Sequence, residues 1–364
     1  MVNRRFPWPR SGDRRRIPLG VMLTVPFALL LSGAVGLTGW LSIRNGRENV
    51  EQLEIALSEQ INARIQTHLH DYLDAPYVLM DAFAATIDSG AIDVDDDIAL
   101  QNFFWHQIQQ TSPGSTVLYG DRQAAVVGIH HQSEGDYLLL RQNEATEFRW
   151  NVYELDDVGQ PSQLLKSSDR PEQRFRPWYL AAERAQQPMW SPIFPAQSVS
   201  GSVVTAAQPV FDARGELKGV LGFTITLSQI SNFLRELAIS SSGRAFVVEP
   251  SGDLVASSSP RSPFISAEDD TTRGSAIAHS DPAIQAASRF LLQQFGSFER
   301  IDAASQQWFP WNGQRHLVEV TPFRDDRGLE WLVVLVIPES DFAADIQANT
   351  RRTMVLCGIA LAIA

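Results

Sequence analysis

Residues 174–190 read RFRPWYLAAERAQQPMW, with arginine, proline and aromatic residues crowded into the first six positions and an apolar stripe behind them. Proline suits the first position of a helix and pushes the preceding residue out of the helical region. The stretch therefore predicts a helix opening at Pro177 with Arg176 at its cap. Phe175, Trp178, Tyr179 and Ala182 fall at i, i+3, i+4 and i+7, the spacing of one buried helix face. Two readings follow. Either this is a well-anchored amphipathic helix, or its first backbone N–H groups, which have no intrahelical partner, join Arg176 to form a site for an anion such as a carboxylate.

Working outward, the two ends of the chain predict membrane attachment. Residues 1–16 carry six arginines against one acid, Asp13, and Ile17–Ile43 follows without a charge. A bilayer span needs about 20 apolar residues, and a signal peptide has a shorter apolar region. The reading is a basic cytoplasmic N-terminus (1–16) and an uncleaved transmembrane helix (17–43). The last residues, 354–364, form an uncharged apolar run too short to span, expected to be the start of a second transmembrane helix. Between them lies a region exported across the cell inner membrane, with periplasmic or extracytoplasmic placement.

Taking residues 1–16 away from 30 basic and 42 acidic residues leaves 24 against 41, so the remainder is strongly acidic. Nucleic acid is excluded as a partner, since phosphate binding asks for a basic surface. The one cysteine, Cys357, lies in the C-terminal apolar run. The exported region thus has neither a disulfide nor a zinc–thiolate site. The histidines do not cluster as ligands, and no metal site or cofactor is expected. The acidic loop at Asp93–Asp97 opens like a calcium loop, but Ile98 and Phe104 stand where glycine and glutamate are needed. It reads as a solvated turn capping the next helix.

From Asn49 to Ile87 apolar residues recur every three or four positions, through Leu53, Leu57, Ile61, Ile65 and Leu69 to Tyr72, Pro76, Leu79 and Phe83. That predicts one long helix, kinked at Pro76 and continuous with the anchor, whose membrane-proximal half packs against a second subunit in a parallel homodimer. A short helix at 101–109 is followed by strand-like segments STVLYG, AAVVGIHH, DYLLLRQ and EFRWNVYEL. After the helix at Pro177 come SVVTAAQPVF, KGVLGFTITL and a helix at 227–237. A second set begins with GRAFVVEPSGDLVASS, includes a helix at 281–295 and ends with QRHLVEVTPF, EWLVVLVIP and a helix at 340–351. Hairpins with helices to one side make an α+β fold with two antiparallel units divided near 227–240. FDARGELKG (211–219) and VEPSGDLVA (248–256) echo each other, which a shared hairpin turn explains without a repeat.

With an anchor, a long helix, two sheet units and RFRPWY in this order, residues 45–345 resemble the double Cache (dCache) sensor domains of bacterial transmembrane receptors. The resemblance is most specific in Arg174–Tyr179, Trp190–Ser191–Pro192, TAAQPVFDARGELKGVLGFTI and GRAFVVEPSGDLVASS. It implies two PAS-like modules on a long N-terminal helix, a membrane-distal one at about 85–226 and a membrane-proximal one at about 240–338. It also implies a small-molecule ligand in the distal module and relay to a cytoplasmic histidine kinase of a two-component system, or to a nucleotide cyclase or chemotaxis module. The amino-acid-binding members hold the ligand carboxylate with an arginine and a tryptophan, and the ammonium with tyrosines and an aspartate. Arg176, Trp178 and Tyr179 match; Pro171 and Phe194 replace tyrosines, and Thr224 replaces the aspartate. The resemblance then implies a ligand site built on Arg176, Trp178, Tyr179, Phe194 and Thr224, without the acceptors an ammonium needs. The expected ligand is a small anion.

No Ser–His–Asp arrangement, phosphate loop or paired carboxylate motif marks an enzyme in these residues. A ligand-free dimerisation module, with the Arg–Trp–Tyr cluster as core anchor, is the remaining alternative.

Overall fold

The computed structural model describes residues 19–169, 173–196, 201–237, 239–260 and 273–341. The basic N-terminus, Pro171, most of the helix expected at 340–351, the second span and Cys357 lie outside the described residues. The first element, α1 (Leu19–Asp88), runs unbroken through Pro76. Among the described residues no helix is long and apolar enough to cross a membrane. The segment expected to do so, 17–43, falls on α1 but starts outside them, and so do many of its side chains.

Leu57–Asp341 form one compact unit that carries two antiparallel sheets. After α2 (Asp97–Ile108) come β1 (Thr116–Asp121), β2 (Val126–Ser133), β3 (Asp136–Gln142), β4 (Trp150–Leu155) and β5 (Pro161–Ser168). Next are α3 (Pro177–Ala185), β6 (Met189–Trp190), β7 (Phe194–Pro195), β8 (Ser202–Phe211) and β9 (Leu217–Thr226). Their nine-stranded sheet has the order β5-β4-β3-β2-β1-β9-β8-β6, with β7 also on β8. The helix α4 (Leu227–Glu236) leads to β10 (Arg244–Val248), β11 (Leu254–Ser257), α5 (Pro282–Phe295), β12 (Ser305–Trp311), β13 (Gln314–Arg324) and β14 (Glu330–Pro338). These five strands are ordered β11-β10-β14-β13-β12. The same order, second-first-fifth-fourth-third, recurs inside the larger sheet as β2-β1-β9-β8-β6. The modules are thus related by topology, while the sequence echo is not the trace of it: 211–219 joins the last two strands of its sheet and 248–256 the first two.

Four hairpin turns share one chemistry. Asp121, Asp156, Asp212 and Asp325 each accept, on Oδ1, the backbone N–H groups two and four residues on, at 2.7–3.0 Å. The residue three positions on must take positive φ. It is glycine at 159, 215 and 328, but Ala124 in the first turn, at φ 72°. An aspartate that bonds its own backbone makes such turns on local information alone.

The buried face of α1 departs from the sequence reading at its lower end. Ile65, Leu69, Leu73, Tyr77, Met80 and Phe83 are buried, but below them the face continues onto Ser58 and Asn62, and Leu57 is 38% exposed. The reason lies on β13. Glu319 is buried there and accepts hydrogen bonds from Ser58 Oγ, from Asn62 Nδ2 at 2.6 Å and from Gln306 Nε2 at 3.3 Å. Asn62 Nδ2 also reaches Thr321 Oγ1 at 2.6 Å, and Gln66 Nε2, one turn further, is buried without a partner among the described residues. A buried carboxylate must be given donors, and this need outranks burial of a leucine.

The modules meet at Trp190. Its Nε1 donates to Asp325 Oδ2 at 2.6 Å, and its backbone N–H to the carbonyl of Arg327 at 3.1 Å. Arg327 lies over the ring of Tyr77 on α1, 3.9 Å from its centroid, and faces Asp74 at 3.6 Å. The β13–β14 turn is thereby fixed to the distal sheet and to the long helix at once.

Candidate functional site

The helix α3 begins as its sequence dictates. Arg176 has extended backbone (φ −77°, ψ 148°), Pro177 is the first helical residue, and no side chain caps the amides that follow. Trp178, Tyr179 and Ala182 are buried as expected, but Phe175 is 69% exposed. It belongs to a preceding 3-10 turn, Gln173–Phe175, whose different pitch takes it off the face of α3.

Between the start of α3 and the sheet lies a cavity of about 60 Å³. Four of the five expected residues line it: Arg176, Trp178, Phe194 and Thr224. Tyr179 does not. It is turned into the core, with its hydroxyl 3.4 Å from the Asp121 carbonyl, and burial pushes its pKa up to about 12. The guanidinium of Arg176 is held by the Pro195 carbonyl at 2.9 Å and lies 4.8 Å from the Phe194 ring centroid, so β7 positions it. The indole of Trp178 covers Gly222, where a Cβ would lie 3.1 Å from Cε3; a larger residue there would displace the ring.

The sheet supplies residues that sequence reading missed. Thr116 pairs in register with Thr224 on one side and with His130 on the other, and Thr224 pairs with Thr205. Across this row, Thr116 Oγ1 meets His130 Nδ1 at 2.9 Å, and Thr205 Oγ1 meets Thr224 Oγ1 at 2.8 Å. Burial lowers the His130 pKa to about 4, so the ring is neutral at pH 7. Leu118, Leu140, Trp150 and Val203 make the apolar walls, and Gln173 adds an amide. The available signal was a threonine two residues before Leu118 in STVLYG, a polar side chain on the face the alternation buries.

The lining therefore holds one formal charge, that of Arg176, with hydroxyls and an amide, and no acidic side chain among the described residues. A guanidinium above uncapped helix amides suits a carboxylate. The volume is that of a few waters and below the few hundred Å³ usual for metabolite sites.

A family model described as Cache domain matches residues 46–346. Methyl-accepting chemotaxis protein McpA of Pseudomonas putida is 35% identical over 85 residues, 23% of this chain and 13% of McpA. McpC of Bacillus subtilis is 33% identical over 82 residues, 22% of this chain and 12% of McpC. The matched stretch is thus a small part of these relatives' length. Among solved structures, the ligand-binding domain of the Pseudomonas aeruginosa amino acid chemoreceptor PctB, in complex with L-Arg, superposes with a TM-score of 0.52 at 16% identity, covering 86% of this chain and 99% of that one. The ligand-binding domain of the Campylobacter jejuni chemoreceptor Tlp3, in complex with 4-methylisoleucine, gives 0.50 at 11% identity, covering 81% and 94%.

Proposed function

The chain belongs to the Cache domain family, and on that premise we propose that it is a membrane-anchored receptor whose extracytoplasmic region binds a small carboxylate beside Arg176. The observation that carries this reading is the charge of the described lining, where the guanidinium of Arg176 stands with hydroxyls and an amide and no carboxylate is found among the described residues. An α-amino acid brings an ammonium that would face only hydroxyls and an amide, which is costly in an enclosed site. The small volume favours acids of two or three carbons. The threonine row supplies hydroxyls for the carboxylate's second oxygen or for a keto or hydroxy group.

Occupancy is relayed through the helices to a cytoplasmic output, a histidine kinase in the first reading. A chemoreceptor output is the second, favoured by the two chemotaxis proteins that share local identity with this chain. The receptor acts as a parallel homodimer in the inner membrane. Support for this comes from the charge-free run 17–43 and from Leu57, exposed where α1 turns its polar side to β13. Cysteine substitutions at Leu53, Leu57 and Ile61, with Cys357 replaced, should crosslink between subunits in membranes; none crosslinking removes the dimer.

The ligand assignment is tested by thermal shift of the full chain in nanodiscs. Acetate, propionate and pyruvate should raise Tm, an α-amino-acid panel should not, and Arg176→Ala should abolish the shift while melting close to wild type. Stabilisation by an amino acid, or stabilisation by acetate that survives in Arg176→Ala, overturns it.

A further inference from the structure

The cavity at Arg176 rests on a row of four side chains in register across four adjacent strands: Thr205 on β8, Thr224 on β9, Thr116 on β1 and His130 on β2. The inner two, Thr116 and Thr224, line the cavity. The outer two do not, and they are buried, Thr205 at 0% exposure and His130 at 1%. Each inner hydroxyl is held from outside, Thr224 Oγ1 by Thr205 Oγ1 at 2.8 Å and Thr116 Oγ1 by His130 Nδ1 at 2.9 Å. Which group gives the proton in each pair decides what the cavity offers a ligand.

Burial decides both directions. Among the described residues the Thr205 hydroxyl bonds only to Thr224. A buried O–H without an acceptor costs more than a spare lone pair, so Thr205 donates and Thr224 accepts. His130 is neutral, its pKa lowered to about 4 by burial, and its ring carries a single N–H. On Nδ1 that proton has Thr116 Oγ1 beside it, and the Ser115 carbonyl also acts on the ring. On Nε2, buried without a partner among the described residues, it would meet no acceptor. The proton therefore belongs on Nδ1, and Thr116 cannot give its own hydrogen to the ring. Both inner threonines keep an O–H to give, and the open direction is the cavity.

We infer that His130 and Thr205 are positioning residues that aim the hydroxyls of Thr116 and Thr224 at the ligand as donors, so that the site selects an α-keto acid over the α-hydroxy acid of the same carbon skeleton. This rests on the carboxylate reading of the cavity given above. Side chains directly opposite each other on neighbouring strands stand about 5 Å apart at Cβ, close enough for both hydroxyls to reach one oxygen. With Arg176 on the carboxylate, a keto oxygen accepts from both threonines through its two lone pairs. A hydroxyl in its place brings a third hydrogen to a point where two already converge, and must turn one threonine away. A hydrogen bond left unmade in an enclosed site is a difference by which binding sites discriminate strongly.

Calorimetry of the full chain in phosphatidylcholine nanodiscs, with empty nanodiscs as blank, tests this with acetate, pyruvate and both enantiomers of lactate. Pyruvate should bind about tenfold more tightly than either lactate. Thr205→Val, which exchanges a hydroxyl for a methyl, and His130→Leu should each bring that ratio close to one while acetate, which has no oxygen at the α-carbon, changes little. His130→Asn, which keeps an N–H near the place of Nδ1, should retain the preference. A merely structural role for either residue would weaken all the acids alike and leave the ratio alone. Should His130→Leu melt early, Thr205→Val carries the test. Equal affinity for pyruvate and lactate, or a ratio unchanged in both variants, overturns this inference, while acetate binding that is lost in Arg176→Ala leaves the carboxylate reading in place. Absence of binding by all these acids overturns that reading and the inference with it.

Discussion

Two of the described helices start on proline, and they start differently. At α5 of the proximal module, Asp281 precedes Pro282, and its carboxylate accepts from the Ala283 N–H at 3.0 Å, Arg244 Nε at 2.9 Å and Ser259 Oγ at 3.0 Å. At α3 of the distal module, Arg176 precedes Pro177 and caps nothing. The proximal module thus brings its own anion to its helix start and its own arginine to that anion. At the distal helix start the arginine is instead held by the Pro195 carbonyl of β7. Behind the caps both helices pack into apolar cores, α5 through Ile284, Ala287 and Leu291 with Phe246, Val248 and Val334, and α3 through Trp178, Tyr179 and Ala182 with Leu118, Val126 and Val220. Beside the start of α3, however, a cavity opens onto Thr116 and Thr224. One topology thus carries a capped helix start with a buried ion pair in one copy and a small cavity beside the helix start in the other.

The sharpest way to break this comparison is Asp281→Ala. It removes a cap and leaves Arg244 beside a site without a counter-charge, which together should cost about 3 kcal/mol. Arg176→Ala should cost little by the same measure. Urea unfolding followed by hydrogen exchange should localise the loss to the proximal module; equal effects from the two variants would erase the distinction. Acid should act alike. Burial works to raise the Asp281 pKa, but hydrogen bonds from Arg244, Ala283 and Ser259 outweigh it and leave the value lowered. A lowered folded pKa means that the contribution is complete above the unfolded value of about 4 and is lost as pH falls through the folded one. Asp281→Ala should flatten this acid limb of the stability curve.

A smaller effect is expected at the joint. Trp190→Phe keeps a ring but loses the bond to Asp325, worth about 2 kcal/mol for a hydrogen bond to a charged group. The two modules should then melt over a broader range or in two steps; an unchanged single transition would show that Trp190 does not couple them. Arg176→Asp converts the distal helix start into the proximal kind. It should gain about 1 kcal/mol from the new cap and abolish stabilisation by acetate; retained acetate binding would separate the cavity from the helix start. The mildest change is Ala124→Gly, which matches the first aspartate turn to the other three. It should stabilise by up to about 1 kcal/mol, since relief of positive φ is partly offset by the entropy of glycine. A loss instead would mean that Ala124 makes a contact the turn comparison ignores.

Much of this was legible in the sequence because it rests on local chemistry. Pro177 and Pro282 mark helix starts, Asp with a glycine three residues on marks turns, and runs of β-branched and aromatic residues between polar turns mark β1 to β4. Elements held by their neighbours were not legible. The edge strand β5 is exposed along nearly its whole length and shows no alternation, so only pairing with β4 makes it a strand. Strands β6 and β7 have two residues each and exist because β8 passes beside them. At the site, Arg176 was found through its proline, whereas Thr116 entered through register, which no single segment encodes. The resemblance placed Tyr179 with the ligand; its helical position, one residue past Trp178, turns it away.

The contact between α1 and Glu319 has a mechanical consequence. Ser58, Asn62 and Gln66 stand four residues apart, close to the pitch of the helix, and each carries a neutral donor. A slide of α1 along β13 by four residues, about 6 Å, that carries Asn62 to the place of Ser58 would carry Gln66 to the place of Asn62. Glu319 would again have two donors. A slide of half a turn would leave the carboxylate facing none. Any axial travel of the helix across this strand is therefore indexed, with two rest positions and a barrier between them, in the manner of a click-stop.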